Sequence, residues 1–331
     1  NNNTETMQKK VICIGNALVD KVCLLENDEL LREENLPKGS MQLIDAKESL
    51  RLQEKTQHLQ SRRTTGGSAA NTAIGTANMG TPTAYVGMVG EDELGTFYID
   101  GMKQNNITPR IFRTADSQTG LALALVSPDG ERTFATNLGA ALTLSDKNID
   151  ESLFAGYDYL HIEGYLISNR PLFRKIMQAG RQAQCKISID LASYNVVEEN
   201  LQFLKEACRG ISIIFANEEE AKAFTGKEAE EALEEIAGYA DTAIVKIGAK
   251  GSLIKHRGET FRICESKRNK IDTTGAGDMY AGGFLTALCQ GKDPLQCGKT
   301  GSILAGNVIE VMGTAMDAER WRKIKTEVGN I

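Results

Sequence analysis

The chain has 331 residues, 41% of them hydrophobic, and a formal net charge of −6 at pH 7. That is enough apolar material for a large buried core, and the acidic balance argues against a general nucleic-acid binder. No apolar run approaches the ~20 residues of a membrane span. The seven cysteines form no CxxC pair and read as reduced thiols of a cytoplasmic protein, and His58, His161 and His256 lack ligand spacing, which argues against zinc.

The opening NNNTETMQKK is polar and reads as a disordered or tag-like tail over 1–10, with one folded domain over 11–331. VICIG (11–15) is a short apolar run ending in glycine, hence a buried strand. AYVGMVG (84–90), YDYLHIEG (157–164), KISID (186–190), ISIIFAN (211–217) and TAIVKIG (242–248) follow the same pattern. Helical spacing marks 46–59, 92–105, 196–208 and 228–240 between them. The alternation predicts an α/β fold: a doubly wound, mainly parallel sheet flanked by helices. Two regions break the rhythm. KVCLL (21–25) and SMQLID (40–45) are strand-like with no long helix between them, and 108–114 and 119–137 read as a strand and a hairpin turning at Pro128-Asp129-Gly130. These pieces, at about 17–45 and 107–137, predict a small antiparallel lid outside the main sheet; the alternative is that they extend the main sheet's edge.

Several motifs carry chemistry. In DTTGAGDMYAGGF (272–284), Gly275 and Gly277 let backbone N–H groups converge on one anion at a helix start. An acid beside an anion is odd unless Asp278 takes a proton from the group attacking it. In GGSAAN (66–71), Gly66 and Gly67 open a small-residue helix and Asn71 lies one turn in. This is either tight helix packing or a site for hydroxyls. Asn16 and Asp20 in GNALVD fall at the carboxyl edge of the sheet, where ligands bind, though either alone also reads as turn or surface chemistry. Asn217 and Glu220 are a capped acidic helix start or the holders of a hydrated Mg²⁺. Lys246, Gly248 and Gly251 in VKIGAKG suit a nucleotide loop or an ordinary turn. Gly298-Lys299-Thr300 is not a P-loop, because the earlier glycine is Asp293, and GAGDMYAGG lacks the third glycine of a dinucleotide fingerprint.

Together and in this order, these motifs resemble the ribokinase-like carbohydrate kinases (PfkB sugar and nucleoside kinases) over residues 11–331. The resemblance implies a ribokinase-like fold with a β-sheet lid, using ATP and Mg²⁺ and in many relatives K⁺. It implies Asp278 as catalytic base and Gly275, Ala276 and Gly277 as the anion hole. Asp20, Asn71, Gly66 and Gly67, beside Asn16, become binders of sugar hydroxyls, and Arg132 the lid arginine that reaches phosphate or substrate. Asn217 and Glu220 organise Mg²⁺ and nucleotide, Gly248 and Gly251 with Lys246 form the nucleotide loop, and Asp272 and Thr274 match positions that hold a monovalent cation. Tyr165 and Tyr194 lie near the strand ends where nucleoside kinases grip a purine, but Leu166 stands where an animal adenosine kinase offers a second aromatic. The implied reaction is transfer of the γ-phosphoryl group to a primary hydroxyl of a ribose- or fructose-like sugar. A nucleoside is the alternative acceptor, and a non-catalytic sugar or nucleotide sensor the alternative class. The implied partners are small molecules, with neither nucleic acid nor membrane, for a monomer or homodimer.

Overall fold

The structure, a computed structural model, describes residues 7–331. The tail expected over 1–10 lies outside the described residues for 1–6, and residues 7–10 are exposed. Among the described residues no helix is long and apolar enough to cross a membrane. In chain order the strands are β1 (Val11–Ile14), β2 (Leu18–Leu24), β3 (Met41–Leu43), β4 (Ser61–Gly66), β5 (Thr83–Gly90), β6 (Ile107–Thr114) and β7 (Gly120–Val126). Then come β8 (Arg132–Asn137), β9 (Tyr159–Glu163), β10 (Lys186–Asp190), β11 (Ile211–Asn217), β12 (Ala240–Lys246), β13 (Ser252–His256) and β14 (Glu259–Ile263). They form a nine-stranded sheet, β14-β13-β12-β11-β10-β9-β1-β5-β6, and a five-stranded sheet, β3-β8-β7-β2-β4.

From β12 across to β6 the large sheet is parallel, and β13 and β14 add an antiparallel edge. Its central strands are apolar on both faces because helices cover both. Successive residues feed opposite cores: Ile12, Ile14 and Val86 join one, and Val11, Cys13 and Tyr85 the other. The chain leaves β1 toward β5 on one side and returns through β9 to β12 on the other. The strand order therefore reverses at β1/β9, the crevice where open α/β sheets bind ligands. Four neighbouring parallel strands end there in Glu163, Asp190, Asn217 and Lys246.

The lid differs from its expected form in three ways. Ile107–Thr114 is not a lid strand; it pairs in parallel with β5 along its whole length. Helix Glu93–Gln104 connects β5 to β6 as a crossover, and the half-exposed pattern of β6, with Pro109 inside it, is that of a sheet edge. A strand absent from the sequence reading, SRRTTG (β4), supplies one lid edge. Its first three residues are exposed, so it shows no apolar alternation. The lid sheet is also mixed, since β2–β7 and β3–β8 are parallel. Its own core gathers Cys23, Leu52, Leu123 and Leu125. One predicted helix breaks in two: 196–208 is Tyr194–Glu199 and Leu201–Ala207, split at Asn200.

The small residues Ala281, Gly282 and Gly283 have a packing cause. The helix Ala276–Cys289 lies against Ser68–Asn78 and Pro294–Val308. A Cβ on Gly282 would come within 3.1 Å of the Thr72 carbonyl oxygen, and one on Gly283 within 2.7 Å of the Thr300 carbonyl oxygen. Only glycine permits this approach. It brings the N-termini of two helices, Gly67–Asn71 and Gly275–Asp278, to one point above the sheet edge.

Candidate active site

Asp278, in the first turn of its helix, is the hub. Ser68 Oγ donates to its Oδ1 at 2.6 Å and Asn71 Nδ2 to its Oδ2 at 3.0 Å, while Thr72 Oγ1 donates to its backbone oxygen at 3.0 Å. Burial, then the Asp190 charge, pushes its carboxyl up to about 6, against the bonds from Ser68 and Asn71. The helix N-terminus alone would favour the charged form, so removal from water is what makes this acid a better base than an ordinary aspartate. Asn71 Oδ1 is buried and has no hydrogen-bond partner. An acceptor left open beside Asp278 is suited to a ligand hydroxyl.

Gly275 takes φ +76°, a left-handed conformation open to glycine, and starts the helix at the cleft; the Ala276 N–H already donates to the Thr273 carbonyl oxygen at 3.2 Å, which leaves those of Gly275 and Gly277 for an anion. A Cβ on Gly277 would sit 2.8 Å from Lys246 Nζ. The ammonium thus flanks the anion hole, and it pairs with Asp190 Oδ2 at 3.2 Å. Burial works against its charge, but Asp190, Glu220 and Asp278 outweigh it and raise its pKa.

Acids crowd the floor. Glu163 accepts from the Ala69 N–H at 3.1 Å and from the Asn16 backbone, tying the turn after β1 to the start of helix Ser68–Asn78. Burial raises it to about 8. Asp20 lies across Gly66, whose missing side chain makes its room, and burial with Asp278 raises it to about 7. Glu220 is raised by burial and by Asp190. Its capping box with Asn217 is fully formed, at 2.8 and 3.1 Å, so the plain capping reading holds and the pair also lines the cleft.

The cleft encloses about 900 Å³ and is lined by Tyr165, Asn217, Glu220, Lys246, Gly248, Gly251 and Gly275–Asp278, among others. Gly248 (φ +59°) and Gly251 (φ +99°) form a turn on its wall. Opposite lies a basic loop carrying Lys267, Arg268 and Lys270, which sequence reasoning missed. Tyr165 is 43% exposed, whereas Leu166 is buried in the core. Thr273 lines the cleft; Thr274 instead bonds Asp272. Arg132, at the start of β8, turns to Asp272 at 3.0 Å.

Ser68, Glu163 and Asp190 were also missed. A serine after two glycines reads as a helix cap, and a lone acid ending a strand reads as surface. The clue was positional: acids ending two neighbouring buried strands must both face the crevice.

The sequence profile of the pfkB family carbohydrate kinases matches residues 38–321. The chain belongs to that family. A solved structure of a probable sugar kinase from Rhizobium etli is 29% identical to this kinase, covers 98% of it and 99% of itself, and superposes with a TM-score of 0.85. An adenosine kinase from Sinorhizobium meliloti is also 29% identical, at 96% and 99% coverage and a TM-score of 0.82. The adenosine kinase of Schizophyllum commune is 24% identical over 96% of this chain and 98% of its own. The fold is ribokinase-like, a large sheet flanked by helices with a smaller second sheet, and the enzyme is a phosphotransferase with an alcohol group as acceptor.

Proposed function

We propose that the kinase moves the γ-phosphoryl group of ATP to a primary hydroxyl of a small ribose- or fructose-like sugar, with Asp278 as base. The observation that carries this is the contact set of Asp278. Its carboxylate stands between the amide-rich helix start at Gly275–Gly277 and the open acceptor Asn71 Oδ1. An alcohol placed beside Asp278 would give it its proton and aim a lone pair at the γ-phosphorus, whose oxygens would face the anion hole as the bond to ADP breaks, while a second substrate hydroxyl would donate to Asn71 Oδ1. Phosphoryl transfer asks the protein mainly for positioning and charge stabilisation. The N–H groups of Gly275 and Gly277 and the Lys246 ammonium would supply both on one side. Asp20, Asn16, Gly66 and Gly67 would orient the remaining hydroxyls. Gly248, Gly251 and the basic loop would hold the nucleotide.

Asn217 and Glu220 fit a hydrated Mg²⁺: they offer hard oxygen donors on the cleft wall. Among the described residues no three His, Cys, Asp or Glu side chains converge as a direct metal cage, which suits an ion held through water. When bound, such an ion neutralises charge on the phosphates. Thr274 is not needed for any of these contacts.

A nucleoside acceptor is the second reading, favoured by the exposed ring of Tyr165 on the cleft wall. With Leu166 in the core, the position next to Tyr165 contributes no second ring. ADP release with a panel of free sugars and nucleosides tests both. Turnover with a pentose or ketohexose supports the sugar reading, turnover with nucleosides alone replaces it, and binding without turnover indicates a sensor.

A further inference from the structure

Many members of this family are expected to hold a monovalent cation at the aspartate opening the anion-hole loop. Here that residue, Asp272, does not fit one. Its Oδ1 accepts from the Thr274 N–H at 3.0 Å and from Thr274 Oγ1 at 2.7 Å. Its Oδ2 accepts from the Gly313 N–H at 2.9 Å and from Arg132 Nη1 at 3.0 Å. A carboxylate offers about four lone-pair sites, and four donors fill them. One donor is itself a full positive charge that would repel a second cation. Both partners are largely shielded, the side chains being 18% and 12% exposed.

The origin of Arg132 gives this meaning. It is the first residue of β8 and follows the hairpin turn around Gly130, so it belongs to the lid, whereas Asp272 immediately precedes the anion hole. The other end of the guanidinium lies against Met312 Sδ, next to Gly313. Asp272 thus joins the lid arginine to the loop at Gly313 and to the loop that opens the helix at Gly275. Arg has the planar fork and permanent charge this task needs; lysine has neither the fork nor the reach to two partners.

We propose that the Arg132 guanidinium serves as a built-in cation at Asp272, so that catalysis by this kinase does not depend on a bound monovalent ion. The proposal rests on the kinase reading but is tested apart from it. In buffer with tetramethylammonium as sole monovalent cation, the wild-type rate should stay within about twofold of that in K⁺ at matched ionic strength. The melting temperature should likewise not distinguish K⁺ from tetramethylammonium. Arg132→Gln should lose rate and gain a response to K⁺ of at least about fivefold, with a K⁺-specific rise in melting temperature. Activation of the wild type by an order of magnitude, or a K⁺-specific rise in its melting temperature, would overturn the proposal. So would an Arg132→Gln protein that folds yet ignores K⁺. The wild-type comparisons need no variant, so a misfolded Arg132→Gln leaves the test intact. A chain that melts alike in both salts but phosphorylates nothing would count against the kinase reading and still support the ion pair.

Discussion

The floor and the rim of the cleft hold carboxylates in opposite states. On the floor Asp20, Glu163, Glu220 and Asp278 are all raised, chiefly by burial, and Glu220 and Asp278 share one ammonium, Lys246, with Asp190. At the rim, burial of Asp272 is outweighed by the bonds from Thr274, Gly313 and Arg132, and its carboxyl sits below the usual range. The same residue type is thus prepared for two tasks. A desolvated acid with few donors is ready to take a proton, and a saturated one is fixed as a charge.

Removing the central acid breaks this contrast most severely. Asp278→Asn keeps the shape and both neighbours but cannot accept a proton. Its kcat should fall by ~10²–10⁴ with folding intact by circular dichroism. Next is Lys246→Met, which leaves Asp190 facing Glu220 without a cation. It should cost about 3–5 kcal/mol in denaturant titration at neutral pH, since breaking a buried pair strands its partner.

Glu163 sharpens the comparison through pH. Its folded pKa, about 8, lies above the ordinary 4.5, so folding favours the protonated form. That contribution is complete below about pH 4.5 and is lost as pH rises toward 8, so stability should decline across this window by about 4–5 kcal/mol. Glu163→Gln should flatten the decline, and an unchanged slope would assign it to another group. The smallest effect is expected at the rim. Asp272→Asn keeps one acceptor oxygen but turns an amide donor toward two of the four donors and leaves a largely shielded arginine without its counter-charge, so chemical denaturation should register about 2 kcal/mol.

How much of this could be read in the sequence follows the same division between buried and edge. Strands such as VICIG and AYVGMVG were legible because burial on both faces leaves an uninterrupted apolar run. DTTGAGD was legible because clustered glycines beside an acid have few other uses. The lid edge β4 was not, since an edge strand keeps polar residues and loses the periodic signal, and β6, though read as a strand, was assigned to the lid instead of the main sheet's edge. Contacts across long separations were also hidden. Asn71 and Asp278 meet although 207 positions apart, and Arg132 and Asp272 although 140 apart. Each residue stood in a recognisable motif, yet only the close glycine packing of the helices and the returning hairpin place them together. For Arg132 the motif pointed to phosphate, whereas the geometry places it on Asp272.

The central claim is that an ionised Asp278 accepts the acceptor hydroxyl's proton. The pH dependence of kcat/KM for the acceptor, which reports the free enzyme, tests it most directly. The account predicts a fall of about tenfold per pH unit below an apparent pKa near 6, a feature absent from the residual rate of Asp278→Asn. A wild-type kcat/KM that stays level down to pH 5 while the protein remains folded would contradict it.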